Sequence, residues 1–274
     1  MGVNNGEQML AETLGSVLGQ TPEKFEFVVV DDGSTDRTAD ILLDWARRFS
    51  ALRVIRQERA GLTEALILGC RVSSGDLIAR QDCGDISMPG RLAVLAGLMR
   101  ANERLSFVSS ATKYCSVRGE FLYVASGTGR AQVPVRVLDP SMAHGVIDGP
   151  SHHGAVMFRR SAYDRVGGYR REFYYGQDWD LWYRLAEAGE FQMLPEVLYE
   201  ARLDIGDISM NNKERQELIG RQSLRALQLR LAGLSDAPAL AAAARVRPQG
   251  QPFGVRRNAW RGAYFIGECL RRNG

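Results

Sequence analysis

Lysine is almost absent from this 274-residue chain: of 35 basic residues only Lys24, Lys113 and Lys213 are lysine. The skew reads as a compositional bias of the genome, because no stripe of interleaved basic and aromatic residues accompanies it, and the formal net charge is only +3. No nucleic-acid partner is expected. Cysteine is scarce as well. Cys70, Cys83, Cys115 and Cys269 lie far apart with no CxxC pair, which excludes zinc-ribbon spacing and a disulfide framework and fits buried thiols in a reducing cytosol. No run of 18 apolar residues is available to span a bilayer. The polar amino end lacks a signal-peptide core, and Gly2 is not followed by the serine or threonine of a myristoylation motif. No internal repeat stands out, and the length suits a single α/β unit with a C-terminal appendage.

What the chain does have is concentrated in two acidic strand ends. In FEFVVVDDGSTDRT (Phe25 to Thr38) an apolar run ends abruptly in two carboxylates, a glycine and small hydroxyl residues. Near-continuous apolarity from Phe25 to Val30 marks a strand covered on both faces. Asp31 and Asp32 then project from its carboxyl edge, where open α/β sheets bind ligands, while Gly33 permits a tight turn. In GDLIARQDCGDISMPGR (Gly75 to Arg91) a second short strand runs into Asp82 and Asp85. Carboxylates gathered at one sheet edge repel unless a cation or ligand donors compensate them. Hard Mg²⁺ or Mn²⁺ prefers such oxygen ligands and also bridges diphosphate oxygens.

Periodicity predicts helices at Glu7 to Gly19, Ala39 to Phe49, Leu62 to Val72 and Arg91 to Ala101, alternating with strands at Phe25 to Val30, Leu52 to Arg56 and Leu77 to Arg80. Beyond residue 100 the pattern changes to a hairpin, Phe107 to Ser116 and Glu120 to Ala125, turning at Arg118-Gly119. A polar stretch to Pro150 reads as loops, followed by a strand at Ala155 to Arg159, a helix at Asp180 to Ala188, a strand at Val197 to Leu203 and a helical connector at Ala237 to Ala244.

Four segments together resemble family 2 glycosyltransferases, inverting enzymes of the GT-A fold that use nucleotide-sugar donors. They are NNGEQMLAETLGSVLGQT (Asn4 to Thr21), VVVDDGSTDRT (Val28 to Thr38), RAGLTEALILGCRVSSGDLIARQDCGDISMPGRL (Arg59 to Leu92), and HHGAVMFRRSAYDRVGGY with GQDWDLWYRLAEAGE (His152 to Glu190). The resemblance implies a Rossmann-like, mostly parallel sheet flanked by helices. It divides the chain into a GT-A domain over 1–212, with a nucleotide-binding half (1–100) and an acceptor half (101–212), and a helical segment over 213–274. The family opens with an apolar strand just ahead of the loop matched by Asn4 to Glu7, so the first strand is expected to be missing here.

The resemblance also assigns residues. Asp31, Asp32, Gly33, Gly61 and Asp82 fall at nucleotide-binding positions, and Asp178 at that of the catalytic base, which takes the proton of an acceptor hydroxyl. His152 and His153, one of them in a hydrogen-bonding role, fall in the sugar and acceptor region, with His153 named for it, as do Trp179 and Arg202; Trp179 is read either as a stacking platform or as a core aromatic, and Arg202 as a partner of donor phosphate or of Asp178 or Asp204. The metal set is Asp82, Asp85 and Asp204, with two departures. Gly84 stands where the family usually supplies an aspartate, and Asp204 where it often has histidine, so Asp204 is either an oxygen ligand or a loop residue. Asp180 is expected to cap the helix or face solvent.

The implied reaction moves a sugar from a nucleoside-diphosphate donor to a glycan or lipid-linked acceptor with Mg²⁺ or Mn²⁺ as cofactor, in the biosynthesis of cell-envelope polysaccharide. Two alternatives stay open: a non-catalytic nucleotide-sugar-binding relative, and a sugar nucleotidyltransferase, against which the lack of a basic residue in NNGEQML argues. The segment Val255 to Asn273 carries an apolar stripe among arginines and is read as docking on its own domain, or as an interfacial helix on anionic lipid. Cytoplasmic placement, with peripheral contact at the inner face of the membrane, is the matching expectation.

Overall fold

The computed structural model describes residues 1–20, 24–126, 131–132, 149–203, 213–248, 269 and 271. Two sheets organise the fold. The first is wholly parallel and runs β1 (Gly2–Val3), β2 (Phe27–Asp32), β3 (Leu52–Gln57). All six residues of β2 are buried, as a strand covered on both faces requires. On one face α1 (Leu10–Leu18) and α2 (Thr38–Arg48) pack Leu10, Leu14 and Leu42 against Phe27 and Val29. On the other, α3 (Leu62–Val72) lays Ala65 over Val28 and Val30. Leu14 is fully buried, so its truncation to alanine is expected to cost about 2–5 kcal/mol.

The second sheet is ordered β4 (Leu77–Ala79), β9 (Val156–Arg159), β6 (Leu105–Ser116), β10 (Glu190–Leu203), β5 (Ile86–Ser87). To this path β7 (Phe121–Ala125) adds on β6 and β8 (Ala131–Gln132) on β10. Only β6–β10 is parallel in this sheet; β4–β9, β6–β9, β6–β7, β5–β10 and β8–β10 are antiparallel. The mostly parallel sheet expected from the sequence is therefore corrected to a mixed one. The hairpin β6–β7 has the short connection that only an antiparallel pair allows, while β9 and β5 come in from parts of the chain remote in sequence from the strands they pair with.

One face of this sheet packs on α4 (Arg91–Ala101) through Leu95, Met99 and Val108. The other buries Phe107 and Phe191, stacked at 5.0 Å, beneath α6 (Gln177–Ala188) and α7 (Lys213–Leu231), which supply Leu181, Leu185 and Leu227. A short α5 (Arg160–Arg165) follows β9. Past α7, α8 (Ala237–Ala244) sets Ala243 against Phe173, Tyr175 and Ile219. Among the described residues no helix is long and apolar enough to cross a membrane.

The first strand, expected to be missing, is present in brief form. Gly2 and Val3 align with Val30 and Asp31; the amino group of Met1 donates to the Val28 carbonyl at 2.9 Å, and the Val30 N–H donates to the Met1 carbonyl at 2.8 Å. Three residues of backbone suffice to pair the carboxyl half of β2. Helix α1 starts three residues later than expected because Gly6 to Met9 form a turn, with the N–H groups of Met9 and Leu10 both donating to the Gly6 carbonyl. The segment Val255 to Asn273 and the loops over 133–148 lie outside the described residues, apart from 269 and 271.

Candidate functional site

Carboxylates stand at the carboxyl ends of both β2 and β4. Asp31 is 1% exposed; its Oδ1 accepts the Ser34 N–H at 2.9 Å, while its Oδ2 has no hydrogen-bond donor. Arg56 Nε stands 3.6 Å from that oxygen. A buried acceptor with spare capacity fits a ligand N–H. Asp32 ties the strand end to the following loop: Oδ1 accepts from Ala60 N at 2.8 Å and Gln57 Nε2 at 2.6 Å, and Oδ2 accepts from Gly61 N at 2.8 Å. Gly33 and Gly61 adopt φ of +66° and +97°, and a Cβ at either would come within 2.8 Å of the Arg59 backbone nitrogen or the Tyr174 ring. Both positions demand glycine for shape as well as for conformation.

Asp82, Asp85 and His152 bring one ligand atom each within 4.8 Å of one another. His152 Nδ1 lies 4.0 Å from Asp82 Oδ2 and 3.7 Å from Asp85 Oδ2, and accepts the Gly154 N–H. Burial lowers the imidazole pKa, against the pull of Asp82, which leaves a neutral ring. Burial alone would raise the Asp82 carboxyl, but the Arg80 guanidinium at 2.5 Å and the two histidines hold it well below the usual carboxylate range. Asp85 is held rigidly, with Oδ1 accepting the Arg202 N–H at 3.0 Å and Oδ2 the Tyr199 hydroxyl at 2.8 Å. Two carboxylates and an imidazole gathered in this way fit a hard divalent cation.

Helix α1 clamps this turn from outside. Thr13 Oγ1 accepts the Gly84 N–H at 2.9 Å and donates to the Asp85 carbonyl at 3.0 Å. Gly84 has φ +100°, and a Cβ there would stand 3.2 Å from Met9 Sδ. The glycine found in place of an aspartate is thus required by the tight turn. Its missing carboxylate is matched by an imidazole from the chain entering β9.

Asp178 occupies the first turn of α6, which begins after Gly176 at φ +59°. Burial raises its carboxyl from an ordinary 3.8 to about 6, the backbone N–H groups of Trp179 and Asp178 oppose the rise, and the charge of Asp82 adds to it. Trp179 beside it is 36% exposed and packs on Trp182 and Tyr183 with ring centroids 5.3 and 5.8 Å away.

His153 Nε2 hydrogen bonds the Tyr169 hydroxyl at 2.8 Å with its ring edge-on to Trp182, and its neighbour His152 stands at the acidic cluster. The Arg202 guanidinium pairs with Glu12 at 2.5 Å and Glu200 at 3.5 Å. One expectation is corrected. Asp180 is fully buried: its Oδ2 accepts from Arg184 and its Oδ1 lies 3.7 Å from Arg170, which pairs in turn with Asp236. Asp204 lies outside the described residues. Sequence reasoning missed Tyr199 and Arg80, which orient the two aspartates, and no local pattern marks either.

The sequence profile of Glycosyl transferase family 2 matches residues 2–167. EpsE of Bacillus subtilis (strain 168), a protein named as a glycosyltransferase, is 33% identical over 210 residues, covering 74% of this chain and 72% of EpsE. In fold the chain resembles S. aureus TarS 1–349 in complex with UDP-GlcNAc, with a TM-score of 0.63 at 15% identity over 98% of this chain and 80% of that one. It also resembles the mannosyltransferase PcManGT from Pyrobaculum calidifontis in complex with GDP-Man and Mn²⁺, with a TM-score of 0.58 at 18% identity over 98% and 73%. These neighbours have the GT-A architecture, and both acidic strand ends of this chain lie within the residues that the profile matches. By sequence profile and by close relative alike, the chain belongs to glycosyl transferase family 2.

Proposed function

We propose that this glycosyltransferase moves a hexose from a nucleoside-diphosphate donor to an acceptor hydroxyl with inversion, with Asp178 as general base. The observation that carries the reading is a carboxyl raised to about 6 whose charge is coupled to an acidic cluster of metal-binding geometry. Asp31 accepts the ring N–H of the base, while Asp32, Gly33 and Gly61 shape the loop around the nucleotide. Asp82, Asp85 and His152 hold Mg²⁺ or Mn²⁺, an assignment supported by the Mn²⁺ in the PcManGT complex. The bound ion would offset negative charge on the departing diphosphate. Asp178 takes the proton of the acceptor oxygen as that oxygen bonds to the anomeric carbon and the carbon–phosphate-oxygen bond opposite breaks. Trp179, half-exposed beside it, offers an aromatic face to the acceptor sugar.

In this reading residues 1–100 bind the donor and 101–212 the acceptor, and α7 and α8 buttress the base helix. A glycan or lipid-linked glycan at the inner face of the membrane is the proposed acceptor. Incubation with panels of nucleotide sugars and of nucleoside triphosphates in Mn²⁺ tests the proposal. Release of nucleoside diphosphate supports it; pyrophosphate release marks a nucleotidyltransferase, and binding without turnover a non-catalytic relative.

A further inference from the structure

Arg91 is a cation in a place that neither burial nor helix formation favours. It is 1% exposed, and among the described residues every hydrogen bond of its guanidinium goes to a neutral oxygen. Burial drops its pKa to about 10, while Tyr199, Asp85 and Asp82 act the other way, so it stays charged at neutral pH. A buried charge without a direct counter-ion is costly. Arg91 also opens α4, where the field of the helix disfavours a cation. Stabilising that helix does not account for it.

Its fork reaches every segment that carries a ligand atom of the acidic cluster. Nη2 donates to the Arg80 carbonyl at 2.7 Å and to the Gly154 carbonyl at 2.6 Å, the one two residues before Asp82 and the other two residues after His152. Nη1 donates to Ser87 Oγ at 2.8 Å and to Gln81 Oε1 at 3.2 Å, and the Gln81 amide donates in turn to the Asp82 and Asp85 carbonyls. The guanidinium carbon stands 4.9 Å from the centre of the Tyr199 ring. That tyrosine accepts the Asp82 N–H, donates to Asp85 Oδ2 and stacks on the His152 ring at 5.4 Å. A planar fork can span these partners at once; the point charge of a lysine cannot.

We propose that Arg91 is the positioning residue of the acidic cluster, tying the turn of Asp82 and Asp85 to the chain at His152 so that the three ligand atoms stand together before a cation arrives. The inference rests on the reading of that cluster as a divalent-metal site. Two carboxylates held close repel each other while no ion is bound. The charge of Arg91 offsets part of that repulsion at longer range and leaves every oxygen of Asp82 and Asp85 free of its own donors, whereas Arg80 bonds Asp82 directly.

The test compares the whole chain with its Arg91→Lys, Ser87→Ala and Met99→Ala variants. Arg91→Lys keeps the charge and loses the fork, Ser87→Ala removes one acceptor of the fork, and Met99→Ala loosens the same helix about two turns further on, in the core. Two quantities are read beside the thermal midpoint. One is amide exchange in the metal-free protein at Asp82 and Gly154, whose N–H groups donate to Tyr199 and His152, taken relative to Phe27, whose N–H donates to Ala51. The other is Mn²⁺ affinity with nucleoside diphosphate present, by titration calorimetry. Arg91→Lys is expected to speed the relative exchange about tenfold or more and to weaken Mn²⁺ binding about tenfold or more. Ser87→Ala should move both the same way by about two- to tenfold, and Met99→Ala should lower the midpoint while leaving both in place. If Arg91→Lys does not fold, Ser87→Ala decides alone. Either quantity unchanged in the folded fork variants, or moved equally by Met99→Ala, makes Arg91 a core residue and overturns the proposal. Failure of the unaltered chain to bind Mn²⁺ overturns the metal reading itself, and the proposal with it.

Discussion

Replacing Asp178 by asparagine should make the protein more stable as it makes it less active. Raising the carboxyl from 3.8 to about 6 means that the folded state binds the proton more tightly than the unfolded chain does. Such a group contributes stability that is fully present below about pH 3.8 and lost as pH rises through about 6. At ~1.4 kcal/mol per tenfold change in proton affinity, the ionised form works against folding by about 3 kcal/mol at pH 8. Asparagine keeps the shape and removes the charge. The expected gain at pH 8 is up to about 3 kcal/mol, a rise of roughly 5–10 °C in Tm, shrinking to nearly nothing at pH 4. Transfer should fall by roughly 10²-fold or more, with donor binding nearly intact, and wild-type kcat should climb with pH through about 6 as the base ionises. Scanning calorimetry at pH 4 and 8, with turnover on one donor–acceptor pair, decides the matter. An equal Tm change at both pH values would refute the burial argument, and near-normal turnover would refute the base assignment.

Three further perturbations probe other parts of the site. His152→Ala should weaken Mn²⁺ binding in the presence of nucleoside diphosphate by about tenfold or more, measured by titration calorimetry, with little change in Tm; unchanged Mn²⁺ affinity would remove His152 from the metal set. Asp31→Ala should lower nucleoside-diphosphate affinity by roughly 10–100-fold, the scale of a hydrogen bond to a charged acceptor; equal affinity in the variant would show that the unpaired Oδ2 meets no base. Asp180→Ala strands the buried Arg184 and should cost about 3–5 kcal/mol in urea unfolding, whereas Asp180→Leu combined with Arg184→Met should recover most of it; an unaffected single variant would mean that solvent reaches Arg184.

Much of the α/β half was legible because its signals are local. Leu62–Val72 and Arg91–Ala101 are helices over the residues that periodicity predicts, and the hairpin turns where Arg118-Gly119 places it. Strand direction was not legible, since β9 reaches both β4 and β6 through contacts remote in sequence. The same holds within the site. Asp31 and Asp32 announce themselves at the end of an apolar run, but His152 meets Asp82 and Asp85 only through the path of β9 beside β4. The Arg184 partner of Asp180 sits four residues on and was readable in principle. Arg170 and the loop before α8, which exclude water from the pair, were not. Within the segment expected to be helical, the bounds of α7 were not legible because its apolar residues, Ile219, Leu224 and Leu227 among them, are spread through a strongly charged sequence.

The start of α6 carries a lesson for grafting between relatives. The family profile ends at residue 167, yet Asp178 lies eleven positions later, on a helix whose first turn is moulded by a distant part of the chain. A Cβ on Gly176 would come within 2.6 Å of Ile219 in α7, and Arg230 of α7 grips Glu187 at the far end of α6. Asp236 joins Arg230 to Arg170, closing a brace around the helix. A chimaera spliced at the profile boundary would therefore separate the proposed base from its own support. Exchanging acceptor preferences between such enzymes calls for moving α6, α7 and the Asp236 loop as one cassette.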